Sequence, residues 1–191
     1  MRALTIFALV ASVFAAQDLG AGTGRELFTL PLECGAAALV SQGNHGTFSH
    51  AGRAQYAYDL DLPRGTPITA MADGTVTFAR STTMRGDRCW DGGDSSCFPF
   101  ANLVVLAHGD GTTTIVKHLD VSLVREGDRV KRGQRIGLSG STGYSTGPHA
   151  HVMRQRACGQ ADCDSLPLTF LDVEGDGVPD TDEIVRSSCS L

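Results

Sequence analysis

Two histidines, His149 and His151, open an apolar run that follows Gly147-Pro148. Residues two apart on a β-strand point to the same face of a sheet, so a strand over 149–156 would present both imidazoles side by side. A His-x-His pair alone is common on protein surfaces without any function. The pair therefore gains weight only if other residues that bind metals join it.

Residues of that kind occur at three further positions. His50 and Asp59 precede the segment 60–67, and His118 follows Lys117. Imidazole and carboxylate are ligands that zinc accepts besides thiolate, and a catalytic zinc site uses three protein ligands and leaves one position open. Zinc held in this way activates water for hydrolysis near neutral pH without redox chemistry. The residue types therefore favour a hydrolytic zinc site.

Five blocks of the sequence resemble the lysostaphin/LytM-type zinc endopeptidases of bacterial cell walls. Each block is a weak signal alone, but all five stand in the order that the family shows, over more than half of the chain. The blocks are His50 with Asp59 and 63–67, then 72–76, 108–111 with His118-Leu119, 127–137 and 140–151.

This resemblance implies a role for each of five side chains. His50, Asp59 and His151 would bind one zinc ion per chain. His118 and His149 would stand beside the metal, where one takes a proton from the activated water and both hold the developing oxyanion. The resemblance does not say which of the two histidines is the general base.

The first block departs from the commonest spacing, because eight residues separate His50 from Asp59 where many members of the family have three. A longer-spaced subgroup of the family fits the intervening residues. Asp61 and His45 remain alternative ligands. His108 lies in a matching block, but an imidazole at that point is expected to be a structural hydrogen-bond donor.

The implied function is that of a secreted zinc metalloendopeptidase that hydrolyses peptide bonds in peptidoglycan stem peptides or cross-bridges. One alternative is a non-catalytic LytM-like factor that binds the wall or activates an amidase. Relatives of that kind lose ligands or the neighbouring histidines, and this chain keeps all five residues. A further alternative is an enzyme that cleaves Gly-rich extracellular proteins.

Short apolar runs rich in Val, Ile and Thr, broken by Gly and Asp, predict a mainly β fold. Asp73-Gly74 and Gly109-Asp110-Gly111 each predict a hairpin turn between neighbouring runs. We expect an antiparallel β-sheet or β-sandwich-like single domain of the LytM/lysostaphin type, with long loops around a groove. The predicted runs are 66–72, 75–80, 103–108, 112–118, 134–139 and 149–156.

The first residues predict an export signal. Met1-Arg2 precedes an apolar run, and Val13-Phe14-Ala15 supplies small residues where a signal peptidase cuts. The run is shorter than the ~20 residues that span a bilayer, so we expect a periplasmic or extracellular protein without stable membrane insertion. The alternative is a buried N-terminal helix. The expected division is a signal peptide at 1–16, a leader at 17–34, the peptidase domain at 35–171 and an acidic tail at 172–191.

Six cysteines in an exported chain favour three disulfides. Two pairs bracket short loops, which leaves one cysteine near each end of the mature chain. Fifteen pairings remain open, and zinc binding by cysteine is the competing interpretation, although no second pair stands at the spacing of a zinc finger. The preferred pairs are Cys89–Cys97, Cys158–Cys163 and Cys34–Cys189.

The formal net charge of −5 argues against some partners. An acidic chain without a Lys/Arg cluster is not typical of nucleic-acid binding or of adhesion to an anionic polymer. We therefore expect that a peptidoglycan peptide is recognised by local contacts. We also expect a monomer.

Two loops have more than one interpretation. In the tail, Asp172, Asp176, Asp180 and Glu183 occupy ligand positions of a calcium loop, but no helical pattern flanks them and an acidic surface turn is the favoured interpretation. Trp90, between Cys89 and Cys97, either packs inward or forms a rim of the substrate groove. Residues 140–147 lack the ending of a phosphate-binding loop and are expected to form a groove wall that carries Tyr144.

Overall fold

The computed structural model describes residues 27–189, which fold into twelve β-strands and two 3-10 helices. The prediction of a mainly β fold is confirmed. Within this range no helix is long and apolar enough to cross a bilayer, and the predicted signal peptide lies outside the described residues. The strands are β1 Ala37–Gln42, β2 Tyr58–Asp61, β3 Pro67–Thr69, β4 Gly74–Arg80, β5 Leu103–Ala107, β6 Thr112–Lys117, β7 Leu119–Ser122, β8 Arg129–Val130, β9 Arg135–Ser139, β10 His149–Arg156, β11 Ser165–Leu166 and β12 Ile184–Arg186; the 3-10 helices are Gly52–Ala54 and Ser95–Phe100.

The strands form two antiparallel sheets. In the large sheet the order is β12-β1-β2-β10-β6-β5-β4-β8, and β11 pairs with β10 outside this path. In the small sheet the order is β3-β9-β7. The strands β2 and β10, which carry candidate site residues, are therefore neighbours at the centre of the large sheet, although 87 residues lie between Asp61 at the end of β2 and His149 at the start of β10.

The main hydrophobic core lies between the two sheets. Alternate residues of the large sheet, such as Leu60 and Val152, pack there with Ile68 and Ile136 of the small sheet. Each such fully buried aliphatic side chain contributes about 1.5–3 kcal/mol relative to exposure. Since the strand period is two, the remaining residues of β2 and β10 point to the opposite face, where a smaller apolar cluster contains Met153.

Segments at both ends of the described range complete this core. Phe28 forms an isolated β-bridge with Phe170, and Leu32 forms one with Ile68. All four side chains are buried in the main core. Beyond the acidic turn, β12 pairs with β1 at the edge of the large sheet. The segment before β1 and the segment after β11 therefore contribute directly to the packing.

All three predicted disulfides are present. Cys34–Cys189 joins the segment before β1 to the segment after β12. Cys89–Cys97 and Cys158–Cys163 close short loops. The two local disulfides close loops whose residues Ser95 and Asp162 line the groove described below. Zinc binding by these cysteines is excluded, because all six are in disulfides.

Of the two predicted hairpins, one is confirmed and one is wrong. The turn at 109–111 joins β5 to β6, with Ala107 opposite Thr113. The residues on either side of Asp73-Gly74 do not pair: β3 belongs to the small sheet and β4 to the large one. Neither Asp73 nor Gly74 has the positive φ that a tight hairpin turn requires, and the Asp73 carboxylate instead accepts a hydrogen bond from the backbone N–H of Arg132.

Candidate metal centre and groove

Two adjacent strands of the large sheet bring Asp59 and His151 together. In the antiparallel pairing of β2 with β10, Asp59 lies opposite His151 and Asp61 lies opposite His149. The neighbours Leu60 and Ala150 point into the main core, so the acidic and imidazole side chains share the other face. Sheet register, rather than proximity in sequence, places these groups in contact.

Two further histidines reach this face from chain segments outside the strands. His50 is buried in the loop between β1 and β2, and His118 is buried directly after β6. His118 has φ 65°, in the left-handed region that residues with a β-carbon rarely adopt. This turn ends the pairing of β6 and directs the chain into β7, so the imidazole stands at the junction of the two sheets.

Three of these side chains converge closely enough to share a metal ion. One ligand atom from each of His50, Asp59 and His151 lies within 4.8 Å of the others. Asp59 Oδ1 is 2.9 Å from His151 Nδ1 and 3.2 Å from His50 Nε2. Two imidazoles and one carboxylate are a ligand set typical of catalytic zinc.

The hydrogen bonding of His50 tests whether a cation fits. Its Nδ1 lies 2.8 Å from the carbonyl oxygen of Gly43, and because a carbonyl only accepts, Nδ1 carries the proton. In the neutral ring Nε2 therefore has a lone pair. Nε2 is buried, makes no hydrogen bond within residues 27–189, and faces the Asp59 carboxylate. Two facing acceptors need a proton or a metal cation between them, so the donor set fits zinc.

The electrostatics of the group favour an ionised carboxylate and neutral imidazoles. Burial raises the pKa of Asp59, but the adjacent His151 and His50 outweigh this effect and hold the pKa below its ordinary value. Burial lowers the pKa of His151, although Asp59 opposes that shift. Metal ligation requires these protonation states, a charged carboxylate and an unprotonated imidazole nitrogen.

His118 and His149 lie beside the group, and within residues 27–189 the Nε2 atom of each ring makes no hydrogen bond. His118 Nδ1 donates to the carbonyl oxygen of Thr142 at 2.8 Å, and His149 Nδ1 donates to that of Gly147 at 2.8 Å. The ring centroids of the two histidines are 4.6 Å apart, and His149 Nε2 is 3.7 Å from Asp59 Oδ1. Burial, followed by the neighbouring His149 and His151, holds the pKa of His118 well below its ordinary value.

One residue that orients this site has no signal in the sequence. Gln42, at the end of β1, donates from Nε2 to Asp59 Oδ2 at 3.0 Å. Its Oε1 accepts hydrogen bonds from the backbone N–H groups of Phe48 and Ser49, which lead to His50. Only the β1–β2 register, with its irregularity between Val40 and Gln42, reveals the contact.

The alternative ligands lie outside the group of three. His45 is exposed and packs edge-on against Tyr56, and Asp61 is exposed two residues along β2 from Asp59. His108 bonds the carbonyl oxygen of Asp73 and the hydroxyl of Thr114. Both of its ring nitrogens are therefore engaged in hydrogen bonds within the fold, as expected for a structural histidine.

The calcium interpretation of the tail finds no support. Asp172 accepts hydrogen bonds from the backbone of Leu30 and Ser188, and the Asp176 and Glu183 carboxylates accept bonds from the backbone within their own turn. Within residues 27–189 the sole convergent group of metal-binding side chains is that of His50, Asp59 and His151. The acidic residues form a surface turn.

The centre opens into a groove of about 540 Å³. His118, His149 and His151 line it, and Tyr144 forms part of its wall, as expected for the segment 140–147. Trp90 is not among the lining residues; its ring packs 4.7 Å from the Arg64 guanidinium carbon. The rim on the Cys89–Cys97 side is instead formed by Ser95 and Phe98.

Comparison with known proteins finds relatives that are named as peptidoglycan or glycyl-glycine endopeptidases. Peptidoglycan DD-endopeptidase ShyA of Vibrio cholerae is 41% identical over 93 residues, 49% of this chain and 18% of ShyA. Glycyl-glycine endopeptidase ALE-1 of Staphylococcus capitis is 35% identical over 139 residues, 72% of this chain and 32% of ALE-1. The chain thus spans a third or less of the length of either relative.

Solved structures share the fold. The solution structure of lysostaphin, a peptidase of Staphylococcus simulans, has a TM-score of 0.50 and 25% identity, covering 75% of this chain and 56% of that one. The catalytic domain of EnpA from Enterococcus faecalis has a TM-score of 0.53 and 22% identity over 72% and 94% of the two chains, which shows the fold alone. Residues 53–162, more than half of the chain, match Peptidase family M23. The chain belongs to peptidase family M23.

Proposed function

We propose that this chain is an exported zinc metalloendopeptidase that hydrolyses peptide bonds in peptidoglycan stem peptides or cross-bridges. The observation that carries the proposal is the convergence of His50, Asp59 and His151 within 4.8 Å, at the floor of a groove shared with His118 and His149. A non-catalytic wall-binding relative would have no need to keep both free imidazoles beside the metal ligands.

In the proposed site, His50 Nε2, Asp59 Oδ1 and His151 Nδ1 would hold zinc. Zinc bound there would supply Lewis acidity, which activates water and polarises the scissile carbonyl. The Nε2 atoms of His118 and His149 both carry lone pairs, because their Nδ1 protons are donated to carbonyl oxygens. Either ring can therefore accept a proton and then donate a hydrogen bond to negative charge on the substrate.

The assignment of the compartment rests on the disulfides. Three disulfides are typical of proteins that fold in an oxidising compartment, and the relatives named above include a peptidoglycan endopeptidase. We assign residues 1–16 to the export signal and 17–34, 35–171 and 172–191 to the leader, peptidase domain and tail. Peptidoglycan outside the cytoplasmic membrane is the substrate that such a protein would meet.

Direct hydrolysis decides the proposal. Zinc-loaded protein lacking residues 1–16 is incubated with purified peptidoglycan of two kinds, one cross-linked directly and one through glycine bridges, and the new amino termini are identified by labelling and mass spectrometry. We expect new termini in one of the two. His151→Ala should abolish both zinc binding and cleavage, whereas His45→Ala should change neither. A wild-type protein that retains zinc but releases no new termini would contradict the proposal.

A further inference from the structure

The candidate centre lies where two recesses of the surface meet. One is the groove of about 540 Å³, and the other has a volume of about 600 Å³. Asp59, Thr146 and His149 line both. A peptide that crosses the centre would therefore place one part of its length in each recess, with the scissile bond at the shared residues.

The charged lining of the two recesses is opposite in sign. Beyond Asp59, the first recess contains Arg53, Arg80, Lys117 and Asp162, an excess of two positive charges, and is called the basic recess. Among the residues that line the second, Asp61 is the one charged side chain beyond Asp59, so it is called the acidic recess. The charge of the basic recess is opposite in sign to the net charge of −5 of the whole chain.

Two of the three cations in the basic recess already have carboxylate partners. Lys117 is largely buried, pairs with Asp162, and lies 5.1 Å from the Phe98 ring. Arg53 is 3.4 Å from Asp164, with both side chains exposed. An ion pair between exposed groups is weak, whereas the Lys117–Asp162 pair satisfies a buried charge.

Arg80 differs from these two. It is half-buried, its Nε donates to the carbonyl oxygen of Ala101 at 2.8 Å, and its guanidinium packs at 5.9 Å from the Phe78 ring. None of the ion pairs formed by residues 27–189 includes it. Asp162 attracts Arg80 through space but makes no ion pair with it. A partly desolvated guanidinium without a carboxylate in direct contact carries an energetic penalty that a bound anion would relieve.

From this placement we propose that Arg80 is a specificity-determining residue that binds a free carboxylate of the substrate peptide. The inference rests on the proposed peptidase function and narrows its substrate class: the peptide is anionic on the side that occupies the basic recess and uncharged or cationic on the side facing Asp61. Planar guanidinium groups bind carboxylates through two parallel hydrogen bonds, and the bond from Nε to Ala101 holds the plane of Arg80 fixed.

The test compares one probe in two forms. Cross-linked peptides released from purified peptidoglycan are used untreated and after conversion of their free carboxylates to amides with carbodiimide and ammonia. Zinc-loaded wild type should cleave the untreated form with a kcat/KM at least about tenfold higher, the scale of one charged hydrogen bond. Arg80→Gln should abolish this ratio, cleaving both forms as wild type cleaves the amidated one.

Two further variants separate charge from structure. Arg80→Lys keeps the cation and should restore part of the preference, which a purely structural role would not do. Arg129→Gln removes an exposed cation on β8, away from both recesses, and should leave the ratio unchanged. Thermal unfolding of each variant is measured to check that the fold is intact.

A binding measurement tests the role of Arg80 independently of the proposed peptidase function. Calorimetric titration of the same two probes measures the carboxylate preference as a difference in binding affinity. A preference that depends on Arg80, with neither probe cleaved, would support this inference and contradict the peptidase proposal. Equal binding of the two probes by wild type, or a preference that Arg80→Gln retains, would overturn the inference whatever the catalytic result.

Discussion

Gln42 Nε2 donates a hydrogen bond to Asp59 Oδ2 at 3.0 Å, while Asp59 Oδ1 faces His50 and His151. The two carboxylate oxygens thus have separate tasks: one is fixed by the protein and the other is turned towards the candidate metal position. Mutation of a residue that orients a metal ligand in this way typically lowers metal affinity or activity about 10–100-fold.

Replacement of Gln42 should therefore weaken metal binding. We expect Gln42→Leu to lower zinc affinity about 10–100-fold, because Asp59 loses its orienting donor and the 48–50 segment loses the Oε1 acceptor. Competition with a chromophoric chelator measures the change. Gln160→Leu, on the exposed Cys158–Cys163 loop, is the matched control and should leave affinity unchanged. An unaltered affinity in Gln42→Leu would show that the contact has no role in ligation.

Loss of either free imidazole should affect turnover rather than metal content. His118→Ala and His149→Ala should retain zinc, since neither residue belongs to the group of three, and should lower kcat by a factor of about 10²–10⁴, as for loss of a proton-transfer group. Elemental analysis and peptide hydrolysis are measured on the same preparations. His45→Ala controls for removal of a histidine at positive φ. If both variants keep zinc and turn over like wild type, the assigned roles are wrong.

Tyr58 should make stability depend on alkaline pH. Burial raises its pKa to about 12 from an ordinary value of 10.0, although a hydrogen bond from Asn44 opposes the shift. The folded state thus keeps the phenol protonated where the unfolded state ionises. The contribution of Tyr58 to stability is therefore complete below the unfolded pKa and is lost as pH rises through the folded one.

Two measurements check this behaviour. The ultraviolet absorbance of tyrosinate should show a late titration step in the native protein, and that step should be missing in Tyr58→Phe. Urea unfolding of wild type should shift to lower midpoints as pH rises above the unfolded pKa. If the variant loses stability over that range as steeply as wild type, the shift does not arise from Tyr58.

The three disulfides should differ in their contribution to stability. Their cysteines are 155, 8 and 5 residues apart in Cys34–Cys189, Cys89–Cys97 and Cys158–Cys163. In the chain-entropy relation these separations correspond to about 5, 2.5 and 2 kcal/mol. Pairwise Cys→Ser variants, unfolded in denaturant without reductant, should lose stability in that order. The order, more than the magnitudes, is the prediction, and a larger loss from either local pair would refute it.

Strands with regular alternation were predictable, and strands defined by distant partners were not. The runs at 103–108, 112–118, 134–139 and 149–156 correspond to β5, β6, β9 and β10, because each alternates or is buried on both faces. The strands β1 and β12 are stabilised by each other across the length of the domain, which no local pattern reports. The Asp73-Gly74 hairpin failed for a related reason, since the two flanking runs find partners in different sheets.

Within the site, residue types and their order in the sequence were informative, and contacts were not. The five candidate side chains are drawn together by the β2–β10 register and by two loops. Their hydrogen-bond partners are mostly backbone carbonyl oxygens, of Gly43, Thr142 and Gly147. A carbonyl oxygen is present at every position of a chain, so its use as an acceptor leaves no trace in the sequence. The same holds for Arg80, since only the three-dimensional structure shows that it is in none of the ion pairs of residues 27–189.

The left-handed backbone of His118 has a consequence for evolution and engineering. A residue with a β-carbon in that conformation is disfavoured by about 1–2 kcal/mol, and glycine or asparagine would occupy it more easily. Selection for heat resistance alone would thus tend to replace the one histidine that stands at the junction of the two sheets. A library of variants that is selected for thermal stability has to be screened for catalytic turnover as well. Otherwise the selection would favour stable variants without His118 and without turnover.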